Sequence, residues 1–434
     1  MRRRFEPSGP LRGRAAPPPD KSISHRAALL GAMCDEPVTI QNYLYAEDTL
    51  STLDALRSLG AAVEPQTGDA LLVRGVGLRT AAPTTGGLLD VRNSGTLLRI
   101  LPGWLAGQAG GVWTLDGDDS IRRRPVDRVI EPLRRMGAEL SAREDRFPPL
   151  TVQGADLAGI EYELPVASAQ VKSCVLLAGL LATDETAVIE PLPSRDHTER
   201  MLRRARVPVE RDGAAIRVSP VDELELDVVA VPGDPSSAAF LAAAACIVPG
   251  SRIVVEAVGL NWTRTGFFRI AGRMGAVVVG DLEEEAAADA DEEPVGEVDV
   301  TQAPLEGTTV EPDEVPLAID ELPLVALLGC FADGETVVRG ASELRLKETN
   351  RIAAVVDGLR GLGADIEATP DGFAVRGGTG LRGGVLDARG DHRMAMLGAV
   401  AGVASTDGVE VDGIEAAAIS YPGFERQLDA MTAA

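Results

Sequence analysis

The sequence predicts an α/β protein of two domains, built from six repeated βα-type units, three per domain. Three observations carry this. A helical, Ala/Leu-rich segment with a small polar or acidic opening recurs six times. A second, amphipathic helix alternates with it and closes in Gly-Ala before a strand-like run. At 434 residues the chain is also too long for one ordinary hydrophobic core.

The first segment type appears as "DKSISHRAALLGAMC" (20–34), "NSGTLLRILPGWLAG" (93–107), "ASAQVKSCVLLAGLLA" (167–182), "DPSSAAFLAAAACIV" (234–248), "DELPLVALLGCFA" (320–332) and "DHRMAMLGAVAGVA" (391–404). Successive starts differ by 73, 74, 67, 86 and 71 residues. The longest interval holds "DLEEEAAADADEEPVGE" (281–297), an acidic low-complexity insertion that reads as a solvated loop. The second type appears as "LDALRSLGAAVE" (53–64), "IEPLRRMGAEL" (130–140), "FFRIAGRMGAVVV" (267–279) and "VVDGLRGLGADIE" (355–367). "ERMLRRARVPVE" (199–210) is a degenerate copy, and "FERQLDAM" (424–431) fits as the last. Glycine at the close of these helices is the expected left-handed stop. Short β-branched runs such as "GVWTL", "SRIVVEAV" and "ETVVRG" fill the gaps. The first helix of each unit is apolar all round and should be buried; the second should face solvent on one side.

Charge narrows the function. Lys plus Arg (42) against Asp plus Glu (66) leaves −24, which disfavours nucleic acid and anionic membranes as partners. No apolar run reaches the ~18 residues of a membrane span, and the first 20 residues lack an apolar signal core, so a cytoplasmic protein is expected. Only three of the basic residues are lysine: Lys21, Lys172 and Lys347. Adaptation to high salt and GC-rich coding both account for that bias. Cys34, Cys174, Cys246 and Cys330 form no CxxC pair and read as small buried hydrophobes in a reducing compartment. His25, His197 and His392 stand at no ligand spacing with them, so no metal is expected.

All lysines and histidines fall in a few polar motifs. Lys21 and His25 open the first unit, Lys172 the third and His392 the sixth, while Lys347 sits in "ELRLKETNRI" (343–352) and His197 in "PSRDHTER" (193–200). Helix N-termini present free N–H groups and partial positive charge, and with Lys and Arg they make an anion site. Ser, Asp and Asn at helix starts are also ordinary caps. The conjunction favours function, because "DKSISHR" and "NSGTLLR" both set a cation near a helix start and "DDSIRRRP" (118–125) adds three arginines. Lys21 then survives as a compact cation for an anionic ligand.

These residues carry a resemblance. "DKSISHRA", "NSGTLLR", "RRRPVDRVIEPLRRMGA", "ASAQVKSCVLLAGL", "IDELPLVALL", "LRLKETNRI" and "DHRMAM" resemble, in order and over nearly the whole chain, the motif series of the 5-enolpyruvylshikimate-3-phosphate synthase family. The resemblance implies a two-domain inverse α/β barrel-like fold. One domain would comprise 1–18 and 230–434, with 19–229 inserted as the other. It also implies transfer of the enolpyruvyl group of phosphoenolpyruvate to the 5-hydroxyl of shikimate 3-phosphate, by addition and elimination, with no metal or organic cofactor. The two small polyanions would be the partners of a monomer, and closure of the two domains on them is expected.

By motif match, Asp320 is the candidate base and Glu348 the candidate acid, with Lys21 sharing proton handling. Lys21, Ser22, Arg26, Ser168, Ala169, Gln170, Ser194, Asp320 and Lys347 are implied for shikimate 3-phosphate. Gly95, Arg124, Arg351 and Arg393 are implied for phosphoenolpyruvate. Lys172, Arg195 and His392 are supporting candidates. Three positions depart from the family's pattern: Ile419 where some members carry lysine, Ala169 where others have serine, and Pro19 where glycine is common. Two rivals stay open. One is the sister transferase acting on UDP-N-acetylglucosamine, disfavoured because "LDGDDSIRRRP" lacks the reactive cysteine usual there. The other is a non-enzymatic acidic scaffold, which leaves the clustering of rare residues unexplained.

Overall fold

The computed structural model describes residues 1–83, 87–285 and 290–432. The chain divides into two compact units. The inserted unit comprises Pro19–Val231 with Ala286–Glu293; the terminal unit comprises Met1–Pro18, Pro232–Glu285 and Pro294–Ala434.

One pattern repeats in both. In the second repeat, strand Leu88–Asp90 runs parallel to Val112–Asp116, and helix Gly95–Ala106 makes the crossover that a parallel pair needs. Helix Asp127–Arg135 follows, and strands Glu139–Arg143 and Phe147–Gln153 add an antiparallel hairpin. The third repeat follows suit with helices Ala169–Gly179 and His197–Arg204. Each expected βα unit is therefore a fuller β-α-β-α-β-β unit. The first strand of each hairpin is the run expected after the helix stop; the return strand, such as Ala215–Val218 with sequence AIRV, is not singled out by the sequence.

The first and fourth repeats exchange their opening strands. Arg12–Ala15 precedes helix Lys21–Met33 in the chain, yet it pairs in the terminal unit with Arg252–Gly259. Val228–Ala230 precedes helix Pro235–Ile247, yet it pairs in the inserted unit with Val38–Gln41. In the sixth repeat, Arg2–Phe5 supplies the antiparallel strand on Val409–Asp412. These pairings assign the first 18 residues to the terminal unit.

Burial follows composition. Every residue of helix Pro235–Ile247 is buried, as are His392–Val403 of helix His392–Ala404. The second helices bury one face, such as Val129, Ile130, Pro132 and Leu133 in Asp127–Arg135. The glycine stops occur as expected: Gly60, Gly137, Gly275 and Gly363 have φ of 101°, 111°, 109° and 101°. The degenerate copy has no glycine, and there Arg206 takes the left-handed conformation at φ 65°.

The acidic stretch 281–297 is a solvated loop over much of its described length, as expected, with Asp281, Glu284, Asp291 and Glu292 exposed, but its end is not. Residues 286–289 of the stretch lie outside the described residues. Its end enters strand Val295–Thr301, paired with Arg252–Gly259, and Glu293 is packed on His197 with its side chain 10% exposed. Its carboxylates find cationic partners, so not all of them seek water.

Candidate active site

In the inserted unit, the openings of the first helices are capped. Asp20 accepts from Ile23 N at 2.9 Å, Ser94 from Leu97 N at 3.2 Å, and Ser168 from Val171 N at 3.4 Å. Capping is thus real, and the Ser168 hydroxyl is engaged in it. Side-chain bonds also tie these openings to one another. Arg26, 4% exposed, donates Nε to Thr198 Oγ1 (2.8 Å), Nη2 to Ser173 Oγ (2.9 Å) and Nη1 to the Ser22 carbonyl (3.0 Å). Ser173 donates in turn to the Ala169 carbonyl at 2.6 Å, and Arg195 reaches Ser22 Oγ at 3.5 Å. Arg99 donates to Gln170 Oε1 (2.9 Å), whose Nε2 donates to Thr96 Oγ1 (3.2 Å). Beside them, a Cβ on Gly95 would lie 2.5 Å from Arg124 Nη1.

Two buried ion clusters support this half. Lys21 Nζ lies 2.7 Å from Asp48 Oδ2, and His25 Nε2 lies 3.2 Å from Asp48 Oδ1. Burial opposes the charge on Asp48, yet Lys21 and His25 hold its carboxyl well below the usual range. Lys172, fully buried, meets Glu199 at 2.6 Å and Glu190 at 3.0 Å and donates to the Ser194 carbonyl at 3.3 Å. Burial works against its charge, but Glu190 and Glu199 raise its pKa. Ser194 Oγ donates to Glu190.

The terminal unit gathers the other expected residues around Arg351, the first residue of helix Arg351–Gly361. Its guanidinium, 1% exposed, lies 3.0 Å from Asp320 Oδ1 and 2.9 Å from Asp391 Oδ2, and it also bonds Glu348. Burial disfavours that charge, but Asp391, Glu348 and Asp320 push its pKa further above the ordinary value. Asp391 is likewise penalised by burial and yet held low by Arg351. Lys347 Nζ is 3.3 Å from Asp320 Oδ1, and Arg393 Nη2 is 3.8 Å from Asp320 Oδ2. Arg393 Nη1 also donates to the Asp320 carbonyl at 3.0 Å and lies 3.4 Å from Glu321. One carboxylate thus faces three cations.

Each unit therefore collects its own set of expected residues: Ser22, Arg26, Ala169 and Arg195 around one network, Ser194 on the Lys172 cluster, Lys21 on Asp48, Gly95, Arg124 and Gln170 around Arg99, and Asp320, Lys347, Glu348, Arg351 and Arg393 around one guanidinium. Sequence reasoning missed Asp48 and Glu190, which lie outside the quoted motifs, and gave no role to Glu199 and Glu321, which lie within them. Asp391 opened a quoted motif, but its role on Arg351 was not drawn from it. At Ile419 the departure from the family's pattern is absorbed by packing, since that side chain lies against the core of the terminal unit. All four cysteines are free and buried, and burial pushes Cys34 up to about 12. Among the described residues, no group of three or more His, Cys, Asp and Glu could hold a metal ion, and no helix is long and apolar enough to cross a membrane.

Six small β-sheets among the described residues, set in two units with cation-rich helix openings, define an enolpyruvyl-transferase fold. The solved structure of EPSP synthase from Acinetobacter baumannii matches it with a TM-score of 0.85 and 37% identity over 99% of this chain and 98% of that one. The family model for EPSP synthase (3-phosphoshikimate 1-carboxyvinyltransferase) matches residues 5–428. A 3-phosphoshikimate 1-carboxyvinyltransferase of Thermus thermophilus is 47% identical over 432 residues, 99% of each chain. One of Brevibacillus brevis is 44% identical over 426 residues, 98% of each. The chain belongs to the EPSP synthase family and is a transferase of the shikimate pathway. These matches favour that family over both rivals.

Proposed function

We propose that the chain transfers the enolpyruvyl group of phosphoenolpyruvate to the 5-hydroxyl of shikimate 3-phosphate and releases phosphate. The observation that carries this reading is the set of contacts on Arg351, whose one buried guanidinium holds both acid–base candidates, Asp320 and Glu348. Asp320 takes the proton of the 5-hydroxyl as its oxygen attacks the phosphate-bearing enol carbon of phosphoenolpyruvate. Glu348 delivers a proton to the methylene carbon, which becomes a methyl group. In the elimination a methyl proton leaves, the C–O bond to phosphate breaks, and the double bond returns. The same groups serve in reversed sense for that half. Lys21 shares the proton handling and balances ligand charge.

Binding roles are those the family resemblance implies. Lys21, Ser22, Arg26, Ser168, Ala169, Gln170 and Ser194 hold shikimate 3-phosphate, joined by Asp320 and Lys347. Gly95, Arg124, Arg351 and Arg393 hold phosphoenolpyruvate. Segments 19–229 and 230–434 thus contribute different parts of the chemistry. The same proposal takes the protein as a cytoplasmic monomer, which sedimentation checks.

The test is phosphate release from purified protein. Release should require both substrates and should survive a chelator. Release from phosphoenolpyruvate alone, or turnover with UDP-N-acetylglucosamine in place of shikimate 3-phosphate, overturns the reading.

A further inference from the structure

The acidic stretch and His197 are two sequence features that the proposed reaction leaves without a role. The structure joins them inside one unit. His197 Nδ1 lies 2.5 Å from Glu293 Oε1, with side chains 1% and 10% exposed. Arg200, also fully buried, donates Nη1 to the Glu292 carbonyl at 2.8 Å and Nε to Asp196 Oδ2 at 3.0 Å. Both side chains belong to helix His197–Arg204, so residues 292 and 293 grip that helix at its first turn.

The same turn carries two links to the substrate-holding network. Thr198 accepts from Arg26 Nε at 2.8 Å and meets Ser173 Oγ at 2.7 Å. Glu199 meets Lys172 at 2.6 Å, and Lys172 holds the Ser194 carbonyl at 3.3 Å. A displacement of His197 is passed through adjacent backbone to both links. A buried, charge-assisted contact is short and directional enough to fix such a turn.

We propose that Glu293 is a positioning residue for shikimate 3-phosphate: through His197 it sets the first turn of helix His197–Arg204, and thereby Arg26 and Ser194. The inference rests on the proposed function and adds to it a role for the end of the acidic stretch. Glu293 acts through other residues and takes no part in the chemistry.

The experiment combines calorimetric binding of shikimate 3-phosphate with steady-state kinetics on the full chain. Glu293→Ala should weaken shikimate 3-phosphate roughly tenfold in Kd and KM, a factor equal to about 1.4 kcal/mol. The kcat and the KM for phosphoenolpyruvate should stay near wild type. Glu293→Gln, which keeps an acceptor oxygen for the imidazole N–H, should restore most of the affinity. His197→Ala should match Glu293→Ala, and the double variant should be no worse than either. Equal affinity in wild type and Glu293→Ala, with only a lowered melting temperature, overturns the inference and leaves the proposed function standing. So does full additivity of the two alanine changes. Absence of shikimate 3-phosphate binding by the wild type overturns both.

Discussion

Gly95 and Arg124 are in such close approach that a Cβ on Gly95 would lie 2.5 Å from the Arg124 Nη1 atom. No real Cβ contact is that short, so Gly95→Ala must move the guanidinium. Arg124 is 7% exposed and closely surrounded, with Arg99 Nη1 only 3.4 Å from the same point. With Arg124 assigned to phosphoenolpyruvate, Gly95→Ala should raise the KM for phosphoenolpyruvate by roughly tenfold or more, about 1.4 kcal/mol per decade. Shikimate 3-phosphate binding should change less, because Ser22 and Arg26 lie in a different network and Gln170 is reached only through Arg99. Steady-state kinetics with each substrate varied in turn checks this. An unchanged KM would mean that Arg124 relaxes freely.

Asp320 and Glu348 share Arg351 but face different tasks. Asp320→Asn and Glu348→Gln keep size but turn one acceptor oxygen into an NH2 donor and remove the titratable carboxyl. Each should lower turnover by roughly 10²-fold or more, the usual scale for a general acid or base. Circular dichroism should stay native, because Asp391 still meets Arg351 at 2.9 Å. Near-normal turnover in Asp320→Asn would reduce that residue to an ion-pair partner.

How much of this was legible in sequence depends on the distance over which each feature is encoded. The repeat, the helix stops and the burial of the first helices are local, and they read correctly; even the missing glycine of the degenerate copy is answered locally, by Arg206 at φ 65°. The exchange of strands Arg12–Ala15 and Val228–Ala230 is not local, since each pairs with a strand more than a hundred residues from its expected position. Site residues in motifs could be named because function clusters them along the chain. Asp48 could not, because it serves Lys21 from the second helix, 27 residues away. Glu190 and Glu199 stay hidden likewise, for only folding brings them onto Lys172.

Asp48 and Asp391 set an acid limit on stability. Both carboxyls have folded-state pKa values depressed below the ordinary 3.8, by Lys21 and His25 in one case and Arg351 in the other, despite burial. A depressed carboxylate contributes stability that is present above its unfolded pKa and lost as pH falls through the folded value. Loss should therefore begin near pH 4, as the unfolded chain takes up protons that the folded chain refuses. Urea unfolding at pH 7, 5, 4 and 3.5 measures it. Asp48→Asn should be less stable at pH 7 and show a shallower decline below pH 4. A decline as steep as that of wild type would remove Asp48 as a contributor.

Salt dependence follows from two opposing effects. The net charge of −24 repels itself over long distances. Against this, many arginines are exposed in ion pairs, such as Arg252 with Asp299 at 2.6 Å and Arg376 with Glu367 at 2.9 Å. Exposed pairs contribute only about 0.2 to 1 kcal/mol each, and salt weakens them. The Debye length falls from ~10 Å at 0.1 M to ~3 Å at 1 M. Charges in contact lie at or inside even the shorter length, whereas the unpaired excess is spread over separations well beyond it. Added salt therefore removes the repulsion before it removes the pairs, and stability should rise. The melting temperature should climb steadily from 0.1 M to 1 M sodium chloride. Potassium chloride should give the same curve, since screening depends on ionic strength and not on a bound ion. A fall over that range would show that the arginine pairs outweigh the excess charge, and a flat response would show that the negative charge is too dispersed to matter.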